Sequence, residues 1–249
     1  GYSQRAYDLE RLLHYSFFTS SGLTINERGV YALLRFMAAR ADLFRTVYFH
    51  RTVRAIDLSL ADLFAASGQD LFPGSPAENL SQYLHFTESS LLVDVARWPY
   101  AQEERKRALG KQWQRLLRRQ IPWQMVCQRS LVFAEDDSER SSIFSDRSLV
   151  EHKVREQLPD SLKELPLRVD IARAIFRPHT RGPAAGQNFL YDSARQAVRP
   201  LTTNQLFERL PISQRICRIY AHTLEHAADL ASAMDALLGD AAEDDLTNM

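Results

Sequence analysis

The sequence has few of the features that would assign a protein to a class at once. Its 249 residues include only two cysteines, Cys127 and Cys217, which are too few and too far apart for a disulfide framework or a zinc site. Basic and acidic residues both number 31, so net charge gives no reason to expect a nucleic acid or a membrane surface as partner. No apolar run is long enough to cross a bilayer, and the start has no signal-peptide pattern. Buried, reduced thiols and a cytoplasmic location are therefore expected.

Common catalytic motifs are also missing. The sequence has no glycine-rich phosphate loop, no Gly-x-Ser-x-Gly nucleophile elbow and no convincing Cys-His arrangement. The segment from His222 to His226 matches the H-x-x-E-H pattern of inverted zinc peptidases. Because the pattern is short and little chain follows for a third ligand, we interpret this match as chance.

The first half of the chain has the three- and four-residue apolar spacing that is typical of helices. Predicted helices cover residues 7–20, 30–64, 78–96 and 98–120. Thr24 and Glu27 fit a capping box ahead of the long second helix. Residues 67–78, with two glycines and two prolines, predict a loop.

The pattern changes near residue 129, where short apolar runs separated by turn-rich segments predict strands. Predicted strands cover residues 167–176, 187–191 and 216–221, and predicted helices cover 147–158, 202–209 and 223–238. We therefore predict a mainly α protein. A helical bundle would occupy residues 1–128, and a small α+β lobe with a short antiparallel sheet would occupy residues 129–249.

The most specific stretch is residues 27–57, ERGVYALLRFMAARADLFRTVYFHRTVRAID. It resembles the long helix of HD-superfamily phosphohydrolases of the dNTP triphosphohydrolase type, with an arginine, an apolar turn and then V-Y-F-H-K-T-V-R. Here Arg40 is followed by VYFHRTVR at residues 47–54. Residues 7–22, residues 83–98 and the C-terminal lobe resemble further segments of the same family. The resemblance covers nearly the whole chain and implies a partial HD-type helical bundle.

The resemblance implies a metal-dependent phosphohydrolase acting on (deoxy)nucleoside triphosphates. Arg40 would contact phosphate, for which its planar charged fork of donors is well suited. Tyr48 would form a wall on the sugar side, and Phe44 shares their helical face as a third substrate-binding residue. Tyr48 also continues the apolar stripe of the helix, so core packing is an equal alternative.

His50, Arg51 and Arg54 match positions with a regulatory or interface role in the family. For these residues the resemblance implies contacts with regulatory nucleotides at subunit interfaces. The simpler alternative is a solvated or interface face of the helix. The family also implies a homo- or hetero-oligomer.

The metal site of the family is incomplete in this sequence. HD enzymes hold one or two metals with a histidine, a His-Asp pair and a distant aspartate, but none of the seven histidines here precedes an aspartate. The resemblance places Glu10 at the distant aspartate, as catalytic residue and metal ligand, whereas another alignment places Asp8 there. A divalent metal (Mg, Mn, Fe, Ni or Zn) is expected only if the missing ligands come from elsewhere, for example from a separate N-terminal HD segment.

Two other functions stay open. The glutamate in place of aspartate and the short connection at residues 20–29 favour a catalytically inactive nucleotide-binding or scaffold subunit. A basic stripe on the predicted helix at residues 105–119 would suit a nucleic-acid-binding or assembly subunit, although a solvated helix face is the plainer interpretation.

Overall fold

The structure is a computed structural model, and it describes residues 7–72, 74–133, 143–177, 188–211 and 213–238. The α-helices of these residues are α1 (Leu9–His14), α2 (Val30–Leu43), α3 (Arg51–Leu71), α4 (Leu80–His85), α5 (Glu88–Arg97), α6 (Glu104–Leu117), α7 (Arg147–Gln157), α8 (Gln205–Glu208) and α9 (Ala227–Leu238). The strands are β1 (Ser16–Thr19), β2 (Gly22–Asn26), β3 (Gln124–Phe133), β4 (Leu167–Ile175), β5 (Asn188–Asp192), β6 (Ala197–Pro200) and β7 (Ser213–Ala221).

The strands form two sheets, so the predicted mainly α fold is wrong. One sheet has four strands in the order β1-β2-β5-β6, and the other has three in the order β3-β7-β4. The protein is a mixed α/β protein in which sheet structure occurs in both halves of the sequence. The predicted boundary after residue 128 falls within β3. In the part of the chain that the structure describes, no helix is both long and apolar enough to cross a membrane.

The four-stranded sheet begins where a helix was expected. Only Leu9–His14 of the predicted helix at residues 7–20 is helical, and β1 follows and pairs with β2 as an antiparallel hairpin. Strand β2 then pairs in parallel with β5, from Leu23 opposite Asn188 to Asn26 opposite Tyr191. The capping box predicted at Thr24 does not form, because Thr24 is a buried residue of β2.

The three-stranded sheet has β7 at its centre, antiparallel to both β3 and β4. One face packs under α7 and α9 in an apolar core that includes Val150, Val169, Ile219 and Met234. The opposite face buries polar side chains, among them Asp170 and Arg218, beside apolar ones such as Tyr220, and it contacts α3. The helix predicted at residues 147–158 and the strands predicted at 167–176 and 216–221 correspond to α7, β4 and β7.

The long helix predicted for residues 30–64 is interrupted. Helix α2 ends at Leu43, a π-helical turn covers Phe44–Tyr48, and α3 starts at Arg51. The wider turn is closed by the Phe49 N–H, which donates to the Phe44 carbonyl at 2.7 Å. Turns of this kind are frequent at functional sites. Here the turn connects α2 to α3, whose Arg54 contacts Asp170 on the three-stranded sheet.

Helices α3, α5 and α6 enclose a separate apolar core formed by Leu63, Val95, Trp98, Leu109 and Trp113. The helix predicted for residues 98–120 is divided into a 3-10 turn at Trp98–Tyr100 and helix α6. The Trp113 indole N–H donates to the Ser67 hydroxyl at 3.0 Å, so its polar atom has a partner inside this core.

Candidate functional site

The predicted row of Arg40, Phe44 and Tyr48 forms a contiguous surface in the structure. The Arg40 guanidinium lies over the Phe44 ring, 4.9 Å from its centre. The rings of Phe44 and Tyr48 are 5.1 Å apart, and Phe49 contacts Phe44 at 5.5 Å. Tyr48 is 54% exposed, so it is not part of the apolar core. A cation held on one ring of an aromatic cluster can receive an anion whose apolar body lies on the neighbouring rings.

Arg40 is fixed in this position from one side. Its Nη1 donates to the carbonyl oxygen of Ile175, the last residue of β4, at 2.9 Å. Its other N–H groups have no partner among the residues that the structure describes. The guanidinium is half-buried, so it combines a fixed orientation with donors that remain available to a ligand.

The start of α1 lies beside the same part of α2. The Tyr7 ring packs edge-to-face on Phe36 at 5.1 Å, and Phe36 is one helical turn before Arg40. Asp8 caps α1, because its Oδ1 accepts from the Arg11 N–H at 2.9 Å. Glu10 follows in the first turn of α1 and is exposed. Both candidate carboxylates are thus on the element that packs next to the Arg40 row.

The described residues do not by themselves form a metal site. Among the residues that the structure describes, no group of three or more His, Cys, Asp or Glu side chains could hold a metal ion. The H-x-x-E-H segment is no exception, since α9 begins only at Ala227 and His222 packs instead on the Trp123 ring at 4.3 Å.

The residues predicted to be regulatory make contacts within the chain. His50 caps α3, with its Nδ1 accepting from the Thr52 N–H at 3.2 Å. The Arg51 carbonyl accepts from the Tyr220 hydroxyl at 2.9 Å. Arg54 binds both oxygens of Asp170, and this hydrogen-bonded pair raises the pKa of Arg54 despite partial burial. Their role at a subunit interface stays a prediction.

A buried polar network lies between α3 and the three-stranded sheet, and sequence reasoning missed it. Asp170 on β4 and Arg218 on β7 are both fully buried and face each other across the sheet, with Nη1 of Arg218 3.9 Å from Oδ2 of Asp170. The Gln128 side chain accepts from Nε of Arg218. Burial raises the pKa of Tyr220, which keeps its hydroxyl protonated and donating. The only signal in the sequence was the presence of charged residues, among them Asp170 and Arg218, within strands that the pattern predicts to be buried.

The basic stripe of α6 is partly neutralised. Arg105 pairs with Asp70 at 2.8 Å and Arg107 with Glu104 at 2.9 Å, while the Lys106 ammonium lies 5.1 Å above the Trp98 ring. Within the described residues, no ion pair involves Lys111, Arg115, Arg118 or Arg119. The cationic surface is therefore concentrated at the C-terminal end of α6.

Comparison with known proteins shows the fold but no family. No family model matches the chain, and no curated protein matches it. Among solved structures, the chain is similar to a hypothetical protein from Aquifex aeolicus, determined at 2.0 Å resolution, with a TM-score of 0.59 and 16% identity. The match covers 91% of this chain and 51% of that protein, so the chain spans about half the length of this relative. At this identity, the likeness shows a shared mixed α/β fold.

Proposed function

We propose that this chain is the nucleotide-facing part of an HD-superfamily phosphohydrolase that acts on (deoxy)nucleoside triphosphates. Arg40 binds a phosphate group, Tyr48 forms the wall beside the sugar, and Phe44 holds both side chains in place. The observation that carries the proposal is the contact of the Arg40 guanidinium with the Phe44 ring at the π-helical turn, with Tyr48 exposed next to it.

The chemistry of this row suits a nucleotide. A guanidinium with free donors binds phosphate oxygens through short charge-assisted hydrogen bonds. The exposed Tyr48 ring provides an apolar face for the sugar and a hydroxyl at its edge. Phe44 supports the guanidinium from below, which lowers the entropy that Arg40 loses when a ligand binds.

The metal of this family would need ligands beyond the described residues. Glu10 or Asp8 would supply one carboxylate from α1, and Asp8 already accepts a hydrogen bond as the helix cap. The histidine ligands would come from another segment or another chain. We therefore assign to the residues described here the binding and orientation of the nucleotide, and no step at the metal.

Replacing Arg40 with alanine is expected to weaken dNTP binding by about 10- to 100-fold, because a charged hydrogen bond to phosphate is lost. Binding would be measured by titration calorimetry on the full chain, with a dNTP panel. Arg45→Ala is the matched control, since it removes the same charge from the π-helical turn that follows α2 but lies outside the Arg40 row. Thermal unfolding of each variant would show whether loss of the Ile175 contact disturbs the fold.

Turnover separates the two nucleotide-based functions. The native assembly would be analysed for bound metal and for triphosphate release from the same dNTP panel. If triphosphate is released and the rate of release falls in Arg40→Ala, the protein is a hydrolase. If dNTP binding depends on Arg40 but no triphosphate is released with any added metal, the protein is a non-catalytic nucleotide-binding subunit. Equal binding by Arg40→Ala and the unmodified chain would overturn the proposal.

A further inference from the structure

A cavity lies between α3, α6, the segment that joins α6 to β3, and the residue after β7, and none of the residues of the Arg40 row lines it. Its volume is about 590 Å³, within the range of small-molecule sites. Its apolar lining includes Leu63, Leu116, Ile121 and Pro122. The cavity opens to solvent beside the exposed side chains of Gln112, Arg115, Gln120 and His222.

The wall of the cavity is set by the way α6 ends. The Arg119 N–H donates to the Leu116 carbonyl at 2.8 Å, and the Gln120 N–H donates to the Arg115 carbonyl at 2.9 Å. Arg119 adopts a φ of 61°, which ends the helix in the left-handed conformation that usually favours glycine. The chain therefore folds back, and residues 120–123 lie across the gap between α3 and α6.

Trp123 gives the cavity a rigid aromatic wall. Its indole N–H donates to Oδ2 of Asp62 at 3.1 Å, and its ring contacts the His222 ring at 4.3 Å. The Arg168 guanidinium lies 5.4 Å from the same indole ring and donates to Oδ1 of Asp62 at 3.2 Å. These contacts orient Trp123, and they leave His222 as the aromatic surface nearest to solvent.

The cavity is lined by one cation, Arg115, and one anion, Asp62, and Asp62 is already paired with Arg168. Asp62 is the one carboxylate among the described residues that line it, and both of its oxygens already accept hydrogen bonds, from Trp123 and from Arg168. Arg115 also lines the cavity, but no ion pair within the described residues involves it. The amides of Gln112 and Gln120 add neutral hydrogen-bonding groups at the rim. An apolar body with one negative charge would satisfy all of these groups together.

We propose that this cavity binds a planar aromatic molecule that carries one carboxylate or phosphate group. The aromatic body lies on the apolar floor of Leu63, Leu116 and Ile121, beside His222. The anionic group pairs with the Arg115 guanidinium. This binding site is separate from the proposed nucleotide row, because none of Arg40, Phe44 and Tyr48 lines it.

The test uses the indole signals of the full chain, which has three tryptophans. In a ¹⁵N-labelled sample, 2-naphthoate is expected to shift the Trp123 indole signal most, with smaller or no shifts for Trp98 and Trp113. The Trp123 signal would be assigned as the one absent from Trp123→Phe. Arg115→Ala is expected to raise the Kd for 2-naphthoate about fivefold, the upper range for an exposed ion pair.

Arg118→Ala is the matched control, because Arg118 is an exposed arginine at the end of the same helix that does not line the cavity. Its Kd should stay within about twofold of the unmodified chain, since distant exposed charges are screened by salt. The neutral 2-naphthamide should bind more weakly than 2-naphthoate. Equal loss of affinity in both arginine variants, or no selective shift of Trp123, overturns the proposal.

A parallel titration with dAMP distinguishes a ligand with a phosphate group from a ligand with a carboxylate group. Binding of dAMP at Trp123 that also depends on Arg115 identifies the ligand class as a nucleoside monophosphate. Binding of 2-naphthoate alone identifies an aromatic carboxylate. If neither probe shifts the Trp123 signal, the cavity is not a site for aromatic anions.

Discussion

Replacing Asp170 with asparagine is expected to destabilise the protein by about 3–5 kcal/mol, the usual cost of removing one partner from a buried ion pair. Asp170 is fully buried and accepts from Nε of Arg54 at 3.0 Å. It is also the carboxylate that faces the fully buried Arg218. The asparagine would remove the buried negative charge that both guanidinium groups face, and Arg54 would keep only its half-exposed partner Asp57 among the carboxylates that it contacts in the described residues. Urea unfolding, followed by circular dichroism, would measure the change.

Asp57→Asn is the matched control for this prediction. Asp57 accepts from Nη1 of the same Arg54 at 2.9 Å, but its side chain is 47% exposed. Solvent screening limits the value of such a pair, so the expected cost is below about 1 kcal/mol. A similar small cost for both variants would mean that water reaches Arg54 and Arg218, and it would contradict the buried network described above.

Replacing Gly110 with alanine is expected to destabilise the protein by about 3 kcal/mol, because overpacking against a fixed backbone is costly. Gly110 is buried on α6, where the helix crosses the turn at Trp98–Tyr100. A Cβ at this position would lie 2.4 Å from the Pro99 nitrogen and 2.5 Å from the Trp98 carbonyl carbon. Backbone atoms cannot rotate away, so α6 would have to move away from the Trp98–Tyr100 turn. That movement would disturb the packing of Trp113, which α6 contributes to the core. The gain in helix propensity, about 1 kcal/mol, is too small to compensate.

Gly68→Ala tests the same substitution without the clash. Gly68 lies within α3, and a Cβ there has no neighbour within 4 Å in the described residues. Alanine should therefore stabilise the protein by about 0.5–1 kcal/mol, by reducing the freedom of the unfolded chain. Thermal and urea unfolding of the two variants should give shifts of opposite sign. A stabilising effect of Gly110→Ala would show that α6 does not press on the Trp98–Tyr100 turn.

The sequence was informative wherever the signal was local. The helix at Arg147–Gln157 and the strands at Leu167–Ile175 and Ser213–Ala221 follow directly from side-chain periodicity and turn residues. The shared face of Arg40, Phe44 and Tyr48 was also predicted from spacing. Its geometry differs from the prediction, because the π-helical turn changes the spacing after Phe44.

The sequence was misleading where a short segment depends on a distant partner. Residues 16–26 contain apolar runs that could continue a helix. They form strands because β2 pairs with β5, with Leu23 opposite Asn188. No periodicity within residues 16–26 reports that edge, so the fold class predicted from the sequence was wrong. The same reasoning applies to Asp170, whose partner Arg54 is 116 positions away.

The sequence alone determined helices α7 and α9, strands β4, β5 and β7, and the spacing that places Arg40, Phe44 and Tyr48 in one row. Tertiary structure alone decided the four-stranded sheet, the buried network of Arg54, Asp170 and Arg218, and the cavity beside Trp123. The physical reason is the range of the interactions. Periodicity and capping act within a few residues, whereas strand pairing, buried charge pairs and cavities depend on residues that only the fold brings together.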